Sequence, residues 1–366
     1  MHPVRRTSLG ELTKIADQTE QDLEDESFIS RFKTIPLTAD HMISTGSTLL
    51  DLAICGKRVR GGGLPGGIFV EIFGPEQTGK TALLVEAGLS VQLHGGRVDY
   101  LDPEGRLDRE YTESYGLDIK DENYHRPDTV NEMFRMLHDS KNFDPEKVNL
   151  TCGDSLAALS TELEMKNDEG DKMGMKRAKD FSAGFRKAAR LLAQQNRILL
   201  CSNQIRDDDM GNPISPGGHA LRFYSSVRIQ LRQPGGKAMN QITKTVTPKF
   251  KSADGKMVEG KPVEKVIGIK VEATVVKSID DPYRKAPLII YFGYGIDDVR
   301  ANIQYVKDIQ KLSSFLAVDK SFQTLDAAVR HVEDNNLEKD LREITIDLWE
   351  SVEEQFQVDR KQRIRW

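Results

Sequence analysis

The sequence has little cysteine and no long apolar run. Its 366 residues include three cysteines, Cys55, Cys152 and Cys201, which lie far apart and lack metal-ligand spacing. We interpret them as reduced core residues, because a disulfide framework would be denser. No apolar run approaches the roughly 18 residues that a membrane-spanning helix needs. The N-terminus lacks the apolar core of a secretory signal, so we expect a cytoplasmic protein with no membrane partner.

Positive charge is not in excess either. The chain has 52 Lys and Arg residues against 57 Asp and Glu residues, which gives a formal net charge of −5. This balance alone does not indicate a nucleic-acid-binding protein. If DNA is the partner, basic residues must cluster at the DNA-binding surface, and some of the acidic residues must lie away from it, as in the acid-rich stretch 17–26.

Short apolar runs alternate with amphipathic stretches from about Ile68 to Phe292. The predicted strands are Ile68–Phe73, Arg97–Leu101, Val148–Gly153, Arg197–Ser202, Val227–Leu231, Val266–Val276 and Leu288–Tyr291. The predicted helices are Lys80–Leu93, Arg109–Tyr115, Val130–Ser140 and Met175–Gln195, the last with an apolar stripe at helical spacing. Strands interleaved with helices predict the α/β class, with a mostly parallel twisted sheet flanked by helices.

Composition divides the chain into three parts. Residues 1–42 form a polar, partly helical N-terminal arm that has no obvious place on its own domain. Residues 43–299 form the α/β core. Residues 300–366 form an acid-rich helical region that ends in a basic cluster.

Three polar segments interrupt the alternation within the core. Residues 160–174 and 205–219 contain glycine and show no periodicity. Loops of this length in a compact domain are usually functional or disordered. Residues 233–262 are predicted to form a hairpin or an insert.

The segment GPEQTGKT fits the phosphate-loop pattern G-x-x-x-x-G-K-[ST] between an apolar strand and a helix. In such a loop the backbone N–H groups face the phosphates, the lysine lies near the β- and γ-phosphates, and the last hydroxyl is a Mg²⁺ ligand. A nucleoside triphosphate and Mg²⁺ are therefore the expected ligands. The predicted nucleotide-binding residues are Gly74, Pro75, Glu76, Gln77, Thr78, Gly79, Lys80 and Thr81.

Polar residues follow three of the predicted strands. Asp154 stands where the Mg²⁺ shell of a phosphate-loop enzyme is completed, so we expect it to act with Thr81. The loop 100–108 carries three acids, one of which either activates water or belongs to a solvated turn. The pair Asn203–Gln204 either senses the γ-phosphate or is an ordinary turn.

The stretch Ile43–Thr81 resembles the entry into the core of the bacterial RecA recombinases. The segments LDPEGRLDREYTESYGLD, GDSLAAL, MGMKRAKDFSAGFRKAA, ILLCSNQIR, GNP and GGHALRFYSSVRIQL follow in the family's order. The similarity covers about residues 43–295. It implies a RecA-type phosphate-loop NTPase core.

The resemblance implies a role for each residue of the ATP site. Glu104 would be the carboxylate that activates water, and Gln204 would sense the γ-phosphate. Tyr111 would stack on the adenine. Lys80 would act in catalysis, and Lys277 would reach the ATP of the neighbouring protomer.

The resemblance also implies roles in DNA binding and assembly. The loops 160–174 and 205–219 match the two DNA-binding loops, Phe223 matches an aromatic that inserts into the next subunit, and the N-terminal arm would pack on that subunit. A solvated helix face is the alternative for the basic residues near the first loop. The DNA-binding candidates are Lys172, Lys176, Arg177, Lys179, Arg206, Gly217, Gly218 and Arg222.

The chain departs from the family at three places. Ile279 stands where a second lysine is usual, with Arg284 or Lys285 as possible replacements. Asp207–Asp209 place three acids in the second DNA loop, where carboxylates near a phosphate backbone should weaken binding. The alternatives are that these acids face solvent or bind Mg²⁺. The residues after Arg300 do not resemble the usual C-terminal domain.

The function implied is a DNA-dependent ATPase that forms a filament on single-stranded DNA and catalyses pairing and strand exchange with a homologous duplex. The departures keep a second hypothesis open, a RecA-like accessory ATPase that acts as a mediator or regulator. A ring-shaped DNA motor is a third hypothesis on the same core.

Overall fold

The structure is a computed structural model of the chain. It describes residues 41–162, 164–165, 173–207, 213–214, 218–251, 254, 256–356 and 360. The predictions for the N-terminal arm, for Lys172, for Gly217 and for most of Asp207–Asp209 therefore lie outside the described residues. No helix in the described part of the chain is long and apolar enough to cross a membrane.

Strands and helices alternate along the first two-thirds of the described chain. The strands are β1 Met42–Ile43, β2 Leu64–Pro65, β3 Phe69–Gly74, β4 Val98–Leu101, β5 Tyr124–His125, β6 Asn149–Gly153, β7 Arg197–Gln204, β8 Arg206–Asp207, β9 Pro213–Ile214, β10 Val227–Arg232, β11 Gln241–Val246, β12 Lys249–Lys251, β13 Met257–Glu259, β14 Val263–Lys277, β15 Lys285–Tyr291, β16 Gly295–Ile296, β17 Phe315–Ala317 and β18 Lys320–Phe322. The helices are α1 Thr48–Cys55, α2 Lys80–Leu93, α3 Arg109–Ser114, α4 Val130–Asp139, α5 Met173–Gln194, α6 Gly218–Tyr224, α7 Asp298–Gln310, α8 Leu325–Asp334 and α9 Glu338–Glu354.

One large sheet forms the centre of the molecule, with the strand order β16-β15-β14-β10-β3-β7-β6-β4-β5 and β11 paired to β14. The neighbours from β10 to β5 are parallel. The pairs on the β14 side are antiparallel. Strands β3 and β6 are buried throughout, as expected where both faces of a parallel sheet are covered. The predicted α/β class with a mostly parallel sheet is confirmed.

Alternate residues of the parallel strands pack into two apolar clusters. Val70 and Ile72 of β3 lie in a cluster with residues of α1 and α2. Phe69, on the opposite face of β3, packs with α4 and α5, and its ring centroid lies 4.3 Å from that of Phe185. The apolar stripe predicted for α5 is confirmed from Phe181 to Leu192, whereas Ala178 is only partly buried.

Several of the described helices begin at a residue whose side chain caps them. Ser47, Thr129 and Thr324 precede α1, α4 and α8, and each accepts a hydrogen bond from a backbone N–H of the first turn. Such a cap stabilises a helix by about 1 kcal/mol. Helix α2 differs, because it follows Gly79, which has no side chain to cap it. The first N–H groups of α2 are left for another acceptor.

The region after Asp298 contains α7, α8, α9 and the hairpin β17–β18. Its last helix packs on α1 through Trp349, which clusters with Ile346 and Leu52. Gly56 lies directly under the indole ring, since a Cβ atom there would come within 2.9 Å of it.

Ion pairs add to the contact between α9 and the core. The guanidinium of Arg60 lies 2.7–2.8 Å from carboxylate oxygens of Glu343, Asp347 and Glu350. These three acids lie on one face of α9. The α9 residue Glu353 pairs with Arg284 at 2.7 Å. Helix α9 is therefore attached to the core by one apolar anchor and two basic residues.

We expect Trp349→Ala to lower the free energy of unfolding by about 3 kcal/mol, because it leaves a cavity between α9 and α1. Urea unfolding followed by circular dichroism measures this loss. Phe356→Ala is the matched control, since that ring is 75% exposed and its removal creates no cavity. Equal midpoints for the two variants would contradict the anchoring role of Trp349.

Candidate active site

The phosphate loop joins β3 to α2, and two of its glycines are required by their surroundings. A Cβ atom at Gly74 would lie 2.5 Å from the carbonyl oxygen of Leu231, and one at Gly79 would lie 2.3 Å from Cδ1 of Ile290. Gly79 has φ +80° and Gln77 has φ +60°, both in the left-handed region. Glycine accepts this conformation without strain, whereas Gln77 does not. The loop is therefore tightly curved and held between neighbouring strands.

The ammonium group of Lys80 lies over the loop. Its Nζ donates to the carbonyl oxygens of Gly74 at 3.1 Å and Pro75 at 2.7 Å. An ammonium has three N–H donors, so one remains for an oxygen of a ligand. Burial lowers the pKa of Lys80, although the carboxylate of Asp154 opposes the shift. An anion in the loop would favour the charged form.

Asp154, at the end of β6, accepts three hydrogen bonds from hydroxyl groups. Thr81 donates to Oδ2 at 2.7 Å, Tyr100 donates to Oδ2 at 3.2 Å, and Ser202 donates to Oδ1. Burial raises the pKa of Tyr100 well above its ordinary value, which keeps its hydroxyl a donor. Sequence reasoning paired Asp154 with Thr81 but missed Tyr100 and Ser202. The sequence feature that could have indicated them is a hydroxyl-bearing residue near the end of each strand that flanks β6, namely β4 and β7.

The loop after β4 separates its three acids into different roles. Asp108 accepts from the backbone N–H of Glu110 and caps α3. The hydroxyl of Ser155 donates to Oε1 of Glu104 at 3.1 Å. Oε2 of Glu104 lies 2.9 Å from the guanidinium of Arg106. The Arg106 side chain is 80% exposed, so this ion pair is weak. Glu104 is therefore the acid of this loop that is available for chemistry.

Asp102 fixes the shape of the same loop, a role that sequence reasoning missed. It is buried and accepts from the backbone N–H groups of Gly105 and Leu107, each at 2.8 Å. The hydroxyl of Tyr124 donates to it at 2.8 Å. These three bonds close the turn that carries Glu104.

Eight of the predicted site residues line one cavity of about 550 Å³. They come from the phosphate loop, the loop after β4, the start of α3 and the ends of β6 and β7. Parallel strands bring their carboxyl ends to one edge of a sheet, which explains the convergence. The eight residues are Glu76, Gln77, Lys80, Thr81, Glu104, Tyr111, Asp154 and Gln204.

A second cavity of about 400 Å³ shares Gln77 and Tyr111 with the first. Its other walls include the apolar side chains of Ile269, Ile290 and Phe292. The Tyr111 hydroxyl donates to that of Tyr115 at 2.8 Å, which fixes the ring between the two cavities. The polar cavity and the apolar cavity therefore adjoin at the phosphate loop.

A buried carboxylate ties the strand before the phosphate loop to its neighbours. Glu71 of β3 accepts from Nδ2 of Asn203 at 3.0 Å and from Nε of Arg228 at 2.6 Å. Breaking such a buried ion pair costs about 3–5 kcal/mol, because one charge is left without a partner. Neither charged residue was predicted from the sequence. Because Glu71 holds Asn203 in place, it also fixes the backbone at Gln204, the next residue of β7.

Lys277 does not line either cavity. Its Nζ donates to the carbonyl oxygens of Arg222 at 3.0 Å and Phe223 at 3.1 Å, at the end of α6. Burial lowers the pKa of Lys277, and the nearby charge of Arg228 lowers it further. Phe223 is 76% exposed. The side chains implied for contact between protomers therefore lie together on the surface.

The two basic residues considered as replacements for the missing second lysine are engaged within their own chain. Arg284 is 11% exposed, pairs with Asp280 and Glu353, and lies over the Trp349 ring. Lys285 lies 2.9 Å from an oxygen of Glu272. The structure does not favour either one as a free cation.

The basic candidates for DNA contact are only partly described. Lys176 lies 3.7 Å from Asp180, and Arg177 lies 3.3 Å from Glu164. Arg222 and Lys179 are exposed. For Arg206 and Gly218 the structure describes the backbone alone.

Comparison with known proteins places this geometry in a family. Residues 11–297 match the family model described as RecA N-terminal domain. The Protein RecA of Borrelia turicatae (strain 91E135) is 33% identical in an alignment 337 residues long, which covers 89% of this chain and 84% of that protein. That of Borrelia hermsii is 32% identical in an alignment 340 residues long, which covers 90% of this chain and 87% of that protein.

A further relative matches over a shorter region. The Protein RecA of Thermus thermophilus is 32% identical in an alignment 279 residues long, which covers 74% of this chain and 73% of that protein. The Borrelia turicatae match covers 89% of the chain, so it extends past residue 300. The prediction that the residues after Arg300 differ from the usual C-terminal domain of the family stays a prediction. The chain belongs to the RecA family.

Proposed function

We propose that this protein is a DNA-dependent ATPase that forms a filament on single-stranded DNA and catalyses pairing and strand exchange with a homologous duplex. The observation that carries the proposal is the convergence of Lys80, Thr81, Asp154, Glu104 and Gln204 on one cavity beside the phosphate loop. Hydrolysis of ATP there would control assembly and release of the filament.

The two adjoining cavities suit the two ends of ATP. The polar cavity contains Lys80 and the uncapped start of α2, which favour a triphosphate. The second cavity has an apolar wall that includes Ile290 and Phe292, which favours an adenine base. Tyr111 borders both and would lie against the base.

Thr81 and Asp154 are the residues that would hold Mg²⁺. Both present oxygen atoms, the ligand type that this hard cation prefers, and 2.7 Å separates those oxygens. Phosphate and water oxygens usually supply the other ligands of a nucleotide-bound Mg²⁺. When bound, the ion neutralises charge on the phosphates. Tyr100 and Ser202 would keep the Asp154 carboxylate oriented for it.

Glu104 is suited to orient the attacking water and accept its proton. The hydroxyl of Ser155 holds one oxygen of the carboxylate, and the Asp102 turn holds the backbone. Gln204 lies at the tip of β7, the strand next to β3, where its amide could contact the γ-phosphate. The segment 205–219 follows Gln204 directly, so the position of this segment would depend on the contact between Gln204 and the γ-phosphate.

A RecA-like accessory ATPase is the second candidate, favoured by one specific observation. Arg284 and Lys285, the nearest basic side chains after Ile279, are paired within their own chain. If single-stranded DNA did not stimulate ATP hydrolysis, this candidate would replace the first. Electron microscopy of the protein with single-stranded DNA and a non-hydrolysable ATP analogue tests assembly, and closed rings in place of filaments would favour a DNA motor.

Glu104→Gln should lower kcat for ATP hydrolysis by about 100-fold or more, because it keeps the shape of the side chain and removes the base. ATP binding should remain, so filaments on single-stranded DNA should persist. A phosphate-release assay and microscopy measure the two effects. Glu110→Gln, an exposed change on α3, is the control. Normal turnover in Glu104→Gln would mean that another group activates the water.

Asp102→Ala should lower kcat by about 100-fold through misplacement of Glu104, while the affinity for ATP stays near that of the unchanged protein. The change removes three hydrogen bonds that close the turn. Equilibrium binding of a fluorescent ATP analogue separates the two quantities. The control Asp118→Ala removes the same charge from an exposed site. Unchanged kcat in a folded Asp102→Ala variant would refute the positioning role.

Phe223→Ala should raise the protein concentration needed for filament assembly by about 30-fold, the effect of losing roughly 2 kcal/mol at an interface anchor. The fold should be unaffected, because the ring is 76% exposed. Light scattering against protein concentration measures the change. Phe356→Ala removes an equally exposed ring elsewhere, at 75%. The same assembly threshold for both variants would count against an interface at Phe223.

A further inference from the structure

A two-stranded extension leaves the central sheet between β10 and the buried part of β14. We call residues 241–265 the ribbon. Strand β11 pairs with the first part of β14, with Val246 opposite Val263 and Lys244 opposite Lys265. Strands β12 and β13 pair with each other beyond a break at Pro248, whose carbonyl accepts from the N–H of Gly260 at 2.8 Å.

The described part of the ribbon is exposed on both faces. Consecutive residues of β11 from Thr243 to Val246 are exposed, although their side chains alternate between the two faces. Phe250 and Val258, which face each other across β12 and β13, are 55% and 41% exposed. An isolated two-stranded hairpin is marginally stable in water. The ribbon therefore has the properties of a surface that a partner covers.

The charge of the ribbon is opposite to that of the whole chain. The ribbon contains six lysines and three acids, Asp254, Glu259 and Glu264, so its formal net charge is +3. The whole chain has a net charge of −5. Among the described residues, the one ion pair within the ribbon joins Lys249 to Glu259 at 3.1 Å. The lysines are Lys244, Lys249, Lys251, Lys256, Lys261 and Lys265.

Two of these lysines lie directly opposite each other. Lys244 and Lys265 are cross-strand partners in the antiparallel ladder, and both are exposed. Like charges in this position destabilise a two-stranded ladder. An anionic partner that lies across the ribbon would remove the repulsion. Thr243 and Thr245 add hydroxyl groups that can donate to phosphate oxygens.

We propose that the ribbon binds the phosphate backbone of double-stranded DNA. The major groove of a duplex admits a two-stranded ribbon, and lysine and threonine are suited to the phosphates on either side. Binding of a single strand typically uses aromatic side chains on which bases stack. Phe250 is the only aromatic residue of residues 241–265. The composition therefore favours a duplex.

The base of the ribbon contacts the nucleotide site. Nζ of Lys237 lies 3.3 Å from Oε1 of Gln77, and Nε2 of Gln233 donates to the Gln77 carbonyl at 3.4 Å. Gln241 and Val266, at the two ends of the ribbon, line the second cavity together with Gln77. A nucleotide bound there would contact the residues from which the ribbon begins. The reaction that the ribbon serves, uptake of a duplex by a filament, rests on the proposed function.

The test is the double variant Lys244→Gln/Lys265→Gln in the full-length chain, with Lys120→Gln/Lys147→Gln as the control of equal charge change at exposed sites. Fluorescence anisotropy measures binding of a labelled duplex and a labelled single strand across a salt series with ATP and Mg²⁺. We expect weaker duplex binding and a slope of log K against log salt that is smaller by about 2, one for each lysine. The control should match the unchanged protein.

Single-strand binding and the ATPase that it stimulates should be unchanged in the ribbon variant. A duplex slope equal to that of the control would overturn the proposal. Equal losses for duplex and single strand would also overturn it, since the ribbon would not then be specific for duplex. Altered sedimentation of the variant without DNA would reassign the ribbon to contact between copies of the chain.

Failure of the proposed function gives a different result. In that case the unchanged protein would show no ATPase stimulated by single-stranded DNA, whereas duplex binding could still depend on Lys244 and Lys265. Removal of the like-charged pair should not unfold the ribbon, because it relieves repulsion. Circular dichroism of the variant checks this directly.

Discussion

Hydroxyl groups from three different elements donate hydrogen bonds to the carboxylate of Asp154. Thr81 belongs to the first turn of α2, Tyr100 to β4 and Ser202 to β7. Asp154 itself follows β6, so the phosphate loop and three strands meet at one side chain. A hydrogen bond to a charged group contributes about 1.5–3 kcal/mol, so three of them make this junction resistant to shifts of the loop. The positions of the other nucleotide-site residues depend on it, because they lie on the same strand ends and on α2.

A second buried group connects the nucleotide cavity to the surface around Phe223. Glu71 accepts a hydrogen bond from Arg228, Arg228 is the cross-strand partner of Lys277, and Lys277 donates to the Phe223 carbonyl. These contacts run from the strand before the phosphate loop to the exposed aromatic ring. Their contiguity gives a physical route by which a nucleotide could affect assembly between protomers.

Much of the fold could be predicted from the sequence, because the apolar runs and the phosphate-loop pattern are local signals. The predicted strand Arg197–Ser202 lies within β7, and the predicted helix Lys80–Leu93 coincides with α2. Convergence of Glu104, Asp154 and Gln204 is explained by the rule that parallel strands end at one edge, but it was the family resemblance that singled out Glu104 and Gln204. Their assigned roles in ATP hydrolysis remain predictions.

The supporting contacts could not be predicted, because they join residues far apart in the chain. Ser202 reaches Asp154 only through the pairing of β6 with β7, and Glu71 reaches Arg228 only through that of β3 with β10. A single sequence does not encode this register locally. The ion pairs of Arg284 were hidden for the same reason, since Glu353 lies 69 positions away.

The ribbon leaves the sheet and returns to it at adjacent points, since Gln241 is the cross-strand partner of Ile269. A chain whose exit and entry adjoin can gain or lose residues between them at a small cost in loop-closure entropy. The length of the ribbon is thus decoupled from the ATPase core. An engineered binding peptide placed at its tip near Asp254 would be carried outward from the sheet, while the nucleotide cavity kept its own walls.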